Sequence, residues 1–377
     1  LAFAEEHRML TRPPPFDDET REYHRSDLKQ SPVVVHYELT AGVTLADWAA
    51  PENGDLTTDQ TFELLEQLGE FPKPPILVLT GGDPFCRLDL FTIAEYSTYC
   101  GLETAIHLRP SPWVSLSSLQ RLRDAGVAQV IIDLDGPDDV LHDEIRHDPG
   151  SFLASLETLV FAQQTGFPVQ IDTLITRKNF RMIDELAAMM EELEIDLWSV
   201  RFAVTADTPP DRVRIGPKEY EWVFERLWEH ALCQPYVIET VDAPQYRRFV
   251  FLRPRQYSRY SQRMTSPRIS HRAFTTLGGN DGKGTLFIGH TGLIFPSVSL
   301  PMICGMFPQQ RVLDVYQRAQ LLQGLRDPTR LEGKCHHCEF RYVCGGCRAR
   351  AYAVTGNPLA QEPDCSYQPI GLFDAHD

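Results

Sequence analysis

The sequence predicts an α/β fold: a (β/α)6 TIM-like barrel, partial or closed, followed by a small cysteine-rich α+β domain. The first observation behind this is alternation. Apolar runs at 33–39, 76–80, 102–107, 128–134, 168–174 and 197–203 are separated by helix-period segments such as 58–71, 115–125, 151–165 and 182–193. Short strands, each followed by an amphipathic helix, make a parallel sheet with helical crossovers. The second is the absence of a glycine-rich nucleotide fingerprint, which favours a barrel over an open sheet. The third is a C-x2-C-x5-C-x2-C run at Cys335, Cys338, Cys344 and Cys347, with Cys365 after 17 intervening residues.

In chain order, residues 1–31 are polar and broken by prolines, and form an N-terminal extension. The barrel occupies 32–240. Its first loop, 40–57, is unusually long, and in barrels chemistry sits on the loops leaving the C-terminal ends of the strands. Pro209, Pro210 and Pro217 mark a connector before a helix at 218–232, with Trp222, Phe224, Leu227 and Trp228 as its apolar face. Residues 241–283 form an Arg-rich linker; 243–279 hold eight arginines and no acid. This stretch either packs on the acidic barrel or binds an anionic ligand. The last domain, 284–377, opens with a hairpin turning at His290-Thr291-Gly292 and continues through a helix at 311–325 to the cysteines.

Composition narrows the function. The chain has 377 residues, 42% hydrophobic and 23% charged, with a formal net charge of −16. Such acidity argues against nucleic acid as a partner, because phosphate binding needs a basic surface. There is no apolar run long enough to cross a membrane and no signal-peptide pattern. Nine cysteines without such a pattern point to metal-bound thiols in a reducing compartment, so the expected location is cytoplasmic.

The cysteine run gathers soft ligands for one metal ion or one iron–sulfur cluster, and spacing alone fits zinc and iron–sulfur equally. Gly345 and Gly346 would let the backbone approach such a centre. Cys86, Cys100 and Cys233 read as buried small residues. Glu38, His107, Asp133, Asp172 and Arg201 are charged or polar groups within strand-like runs. They must pair with one another or line a wet cavity. If that cavity is a substrate site, His107 is the candidate proton carrier, with Asp133, Asp172 and Arg201 beside it.

Two features together resemble the radical S-adenosylmethionine (radical SAM) family with a C-terminal SPASM or twitch-type auxiliary-cluster domain. Thr80-Gly81-Gly82-Asp83-Pro84 looks like that family's GGEP-type motif, which holds the methionyl end of SAM. The cysteine run with RARAYAVTG and Cys365 looks like its auxiliary-cluster domain. Glu38-Leu39-Thr40, the turn Leu134-Asp135-Gly136-Pro137 with His142, and GHTGLIFPS support the match, which spans about 32–368. The resemblance implies a partial (β/α)6 TIM-like barrel. It also implies one auxiliary [4Fe-4S] cluster on Cys335, Cys338, Cys344 and Cys365, leaving Cys347 and Cys304 as further candidate ligands.

One departure matters more than the match. The family follows Glu-Leu-Thr with C-x3-C-x2-C, whose thiolates hold the SAM-cleaving cluster. Here those positions are Val43, Asp47 and Ala50. Two have no donor atom, and one carboxylate cannot hold a cluster. Asp83 also stands where relatives have glutamate, and Asp133 where they often have serine. The expectation is a degenerate member that serves as scaffold, electron carrier or substrate-presenting partner. It would work beside an active radical SAM paralogue or another iron–sulfur redox protein, in a cofactor or peptide modification pathway. The alternative is an enzyme doing non-radical chemistry on a small molecule in the barrel, with SAM as a candidate ligand.

Overall fold

A computed structural model describes residues 27–41, 54–204, 213–253 and 280–370. Val43, Asp47, Ala50, Pro209 and Pro210, most of the N-terminal extension and residues 254–279 of the Arg-rich segment lie outside the described residues.

Six strands fall where the apolar runs are: β1 Val34–Thr40, β2 Ile76–Gly81, β3 Glu103–Leu108, β4 Gln129–Asp133, β5 Val169–Ile175 and β6 Leu197–Phe202. They pair in sequence order, all parallel. A seventh parallel strand, β7 Val237–Val241, adds to β6. The sequence reading missed it because Val-Ile-Glu-Thr-Val is short and carries a charge at its centre. On the other side of β1 lies β8 Thr285–Ile288, parallel to it, followed by antiparallel β9 Leu293–Phe295 and β10 Gly305–Met306. The expected hairpin is the β8–β9 pair, and the ten strands make one sheet.

The covering helices are α1 Thr58–Gly69, α2 Leu90–Tyr99, α3 Leu116–Asp124, α4 Asp139–Arg146, α5 Ser151–Gln164, α6 Ile183–Glu192 and α7 Pro217–Cys233. Local chemistry sets their ends. Thr57 and Ser115 close capping boxes on α1 and α3, and Pro217 starts α7. On α7, Tyr220, Val223, Phe224, Leu227 and Trp228 are buried, whereas Trp222 is 41% exposed, contrary to its assignment to the apolar face. Trp222 instead meets the edge of Phe180. Outward-facing strand residues such as Val35, Tyr37, Leu77, Leu79, Ile106 and Val130 pack beneath the helices in one large core.

After β7, the start of the Arg-rich segment forms a helix, α8 Gln245–Phe251. Arg248 pairs with Glu221 and Arg253 with Glu225, both on α7, so this basic stretch packs on the acidic barrel. The single helix expected at 311–325 is two, α9 Val312–Arg318 and α10 Gln320–Arg326, because Ala319 takes an extended conformation between them. Short α11 Gly333–His337 and α12 Arg348–Thr355 flank the cysteine loop. Among the described residues no helix is long and apolar enough to cross a membrane.

Candidate functional site

Inward-facing side chains make the barrel lumen polar. His107 on β3 places Nε2 3.2 Å from Asp133 Oδ1 on β4. Arg146, from α4, reaches Asp133 Oδ1 at 2.9 Å and Asp135 Oδ2 at 2.5 Å. Asp172 on β5 receives Gln170 Nε2 at 2.6 Å and Arg201 Nη1 at 3.5 Å, while Arg201 Nη2 lies 3.9 Å from Asp242. The structure therefore brings His107, Asp172 and Arg201 together around one cavity of about 120 Å³, lined also by His36 and Glu239, with Asp133 held against His107. Glu38 points elsewhere: it is fully buried and accepts from His290 N at 3.3 Å.

Electrostatics in this lumen follow from burial and pairing. Burial alone would raise Asp133, but His107 and Arg146 hold it far below the usual carboxylate range. Burial would lower His107, and the Asp133 charge more than offsets that, leaving it above its ordinary value. Asp135 and Asp242 are pushed up to about 6, and Glu239 to about 7, chiefly by burial. His36 is lowered to about 3 by burial and by Arg201.

At the end of β2, Gly81 has φ +138°, and a Cβ there would lie 2.6 Å from Thr40 O. Only glycine fits, and it lets Thr80-Gly81-Gly82 lie close against β1. Asp83 Oδ1 caps the following turn by accepting from Phe85 N at 3.0 Å, beside Pro84. Arg87 ties the neighbourhood together, donating to Leu39 O at 3.3 Å and Leu56 O at 3.0 Å. Both ends of the long first loop are thus fixed to one guanidinium.

The second centre is in the C-terminal region. Cys335, Cys338, Cys344 and Cys365 line one pocket with Phe340, Arg248 and Lys334. Gly346 N donates to Cys344 Sγ and Glu362 N to Cys335 Sγ, each at 3.3 Å. Gly346 has φ +70°, and a Cβ there would stand 3.4 Å from Cys335 Sγ and 2.8 Å from Glu362. Burial raises the Cys338 thiol to about 12 and raises Cys344 and Cys365 too, with the neighbouring sulfurs adding to the effect at Cys338 and Cys344. Four thiolates in one pocket therefore need a positive centre to stay ionised. Among the described residues no three of these sulfurs lie within 4.8 Å of one another. Thiolates around one tetrahedral ion, at about 2.3 Å from it, would stand roughly 3.8 Å apart. The donor set is wider than that.

Cys347 and Cys304 are not in this pocket. Cys347 is fully buried and its sulfur caps α12, accepting from Arg350 N at 3.3 Å. Cys304 lies in the approach to β10, its thiol 3.7 Å from Met302 O. Contrary to expectation, Cys86 and Cys233 are exposed and Cys100 is half-buried.

A buried charge network, which the sequence reading did not identify, joins the two centres. Arg350 pairs with Glu362 at 3.2 Å and Asp364 at 3.4 Å and donates to Asp242 O at 2.6 Å. Glu362 Oε2 accepts from Cys347 N at 2.7 Å, and Arg214 holds Asp364 at 3.1 Å. The signal was present in the arginines of RARAYAVTG, but nothing in the sequence names their partners.

A family model described as the Radical SAM superfamily matches residues 43–190. The chain is 31% identical over 349 residues to an AdoMet-dependent heme synthase of Methanosarcina barkeri, covering 91% of this chain and 98% of that protein. It is 32% identical over 325 residues to an AdoMet-dependent heme synthase of Oleidesulfovibrio alaskensis, covering 85% and 81%. Among solved structures, Streptococcus suis SuiB superposes with a TM-score of 0.64 at 15% identity over 90% of this chain and 78% of that one, a likeness of fold.

Proposed function

Because the chain belongs to the radical SAM superfamily, we propose that it is an iron–sulfur member with a SPASM or twitch-type auxiliary cluster and without the cluster that cleaves SAM. It acts as an electron-transfer or substrate-presenting partner in a cofactor pathway, of which haem synthesis, named by its relatives, is the leading candidate.

One observation carries this reading. Cys335, Cys338, Cys344 and Cys365 converge on one pocket, while the three front positions are Val43, Asp47 and Ala50. The front residues do not fit a cluster, since residues 1–85 hold no cysteine. Bound at the back, a [4Fe-4S] cluster would supply one-electron transfer. The chain's own contribution is to hold it. Gly346 and Glu362 supply amides to the sulfurs, Phe340 supplies apolar cover, and Arg248 and Lys334 bring positive charge towards Cys365.

The test is incubation of anaerobically purified protein with SAM and dithionite. The reading expects no 5′-deoxyadenosine, and its formation above a no-enzyme control overturns it. A pull-down under the same conditions should recover a second iron–sulfur protein.

The polar cavity supports a second reading, a non-radical enzyme with His107 as proton carrier between Asp133 and substrate. Calorimetry with SAM separates the two. Binding with turnover to S-adenosylhomocysteine favours the enzyme, and no binding favours the partner role.

A further inference from the structure

The barrel lumen contains a second set of donors, independent of the cysteine pocket. His107, Asp133 and Asp172 each offer one ligand atom, and these atoms lie within 4.8 Å of one another. They come from three adjacent strands. His107 pairs with Ile131, two residues before Asp133, and Asp133 pairs directly with Asp172.

A fourth group faces the same space. Inward side chains of a barrel stack in layers contributed by alternate strands. From β1 to β3 the register runs His36 to Val78 to Ala105, and His107 is two residues further on. From β3 to β5 it runs His107 to Ile131 to Gln170, and Asp172 is again two further. His36, His107 and Asp172 therefore occupy one layer. His36 lines the cavity, and among the described residues its ring makes no hydrogen bond and no ion pair. His107 Nε2 is buried and makes no hydrogen bond, although it lies 3.2 Å from Asp133 Oδ1.

Charge points the same way. Asp133 and Asp135 share the single guanidinium of Arg146, and Asp172 and Asp242 share that of Arg201. Asp133 also pairs with His107, so these four carboxylates face two guanidiniums and one imidazole, while Asp281 and Arg247 both line the cavity, which leaves one carboxylate in excess. Uncompensated negative charge in an enclosed space is costly. A divalent cation would neutralise it.

We propose that the lumen binds one divalent first-row metal ion through His107, Asp133 and Asp172, with His36 beside it and open positions facing the cavity. Mixed imidazole and carboxylate donors suit manganese, iron or zinc, in contrast to the thiolate pocket. Such an ion would give the cavity a Lewis-acid centre for an oxygen-bearing small molecule.

The test uses Mn2+, a probe that disfavours thiolates. Purified protein with its cysteine pocket intact is stripped with EDTA, titrated with Mn2+ and followed by loss of the aqueous Mn2+ EPR signal. We expect one bound equivalent per chain, weakened at least tenfold in His107→Gln and in Asp172→Asn, and unchanged in Cys338→Ser. Thermal melts in EDTA establish that each variant folds, and Mn2+ should raise the melting temperature of wild type but not of His107→Gln. No saturable binding by wild type, or equal binding by both lumen variants, overturns the proposal. Loss of binding in Cys338→Ser would move the ion to the cysteine pocket and overturn it equally.

Discussion

Arg350 and Glu362 form a salt bridge at 3.2 Å in which the side chains are 0% and 1% exposed. Glu362 touches the cysteine loop through its own amide and carboxylate, and Arg350 touches the end of β7 through Asp242 O. The pair is the mechanical link between pocket and barrel. Breaking a buried pair leaves an uncompensated charge, so Arg350→Met should destabilise the protein by about 3–5 kcal/mol. Urea denaturation checks this, and a loss under about 1 kcal/mol would mean that the pair behaves as an exposed one.

Cysteine substitutions should divide cleanly. Cys335→Ser, Cys338→Ser, Cys344→Ser and Cys365→Ser each remove a pocket ligand, and each should lower bound iron and sulfide severalfold. Cys304→Ser and Cys347→Ser leave the pocket intact and should retain both. Iron loss in Cys304→Ser equal to that in Cys338→Ser would show a different ligand set.

Gly81→Ala should cost about 2 kcal/mol, because the new Cβ meets Thr40 O and φ is +138°. Gly101, also at positive φ but with open space around it, is the control and should cost less. Thermal melts of both variants decide it. Equal losses would mean that the close approach to β1 contributes nothing.

Glu239 gives the fold a pH dependence. Burial raises its carboxyl from its ordinary value of 4.5 to about 7, so folded protein holds a proton that unfolded chain has released. Its protonated form is therefore fully favourable below about pH 4.5. Stability is then lost as pH rises towards 7. In EDTA, wild type should lose about 2 kcal/mol over that window relative to Glu239→Gln. Parallel curves for the two proteins from urea melts at pH 5 and 7.5 would contradict this.

The sequence made the first six strands legible because each is a mostly apolar run between helix-period segments, and observed ends differ from the runs by no more than a residue or so. β7 escaped because Glu239 and Thr240 break its apolar pattern, yet those residues face the lumen and are part of what makes it polar. β8 was visible as half of a hairpin, but its parallel pairing with β1 links residues some 250 positions apart, which no local pattern encodes. The same holds for the site. The cysteines were legible by spacing, and His107, Asp133, Asp172 and Arg201 by their charge within apolar strands. His36 passed unnoticed as an isolated histidine in a strand, and Arg350 depends on Glu362, which lies in a loop without a motif.

Iron and acid-labile sulfide per chain, measured on anaerobically purified wild type, test the central claim most directly. One cluster at the back and none at the front predicts about four of each. About eight of each would place a second cluster in the chain, and zinc without sulfide would remove the first.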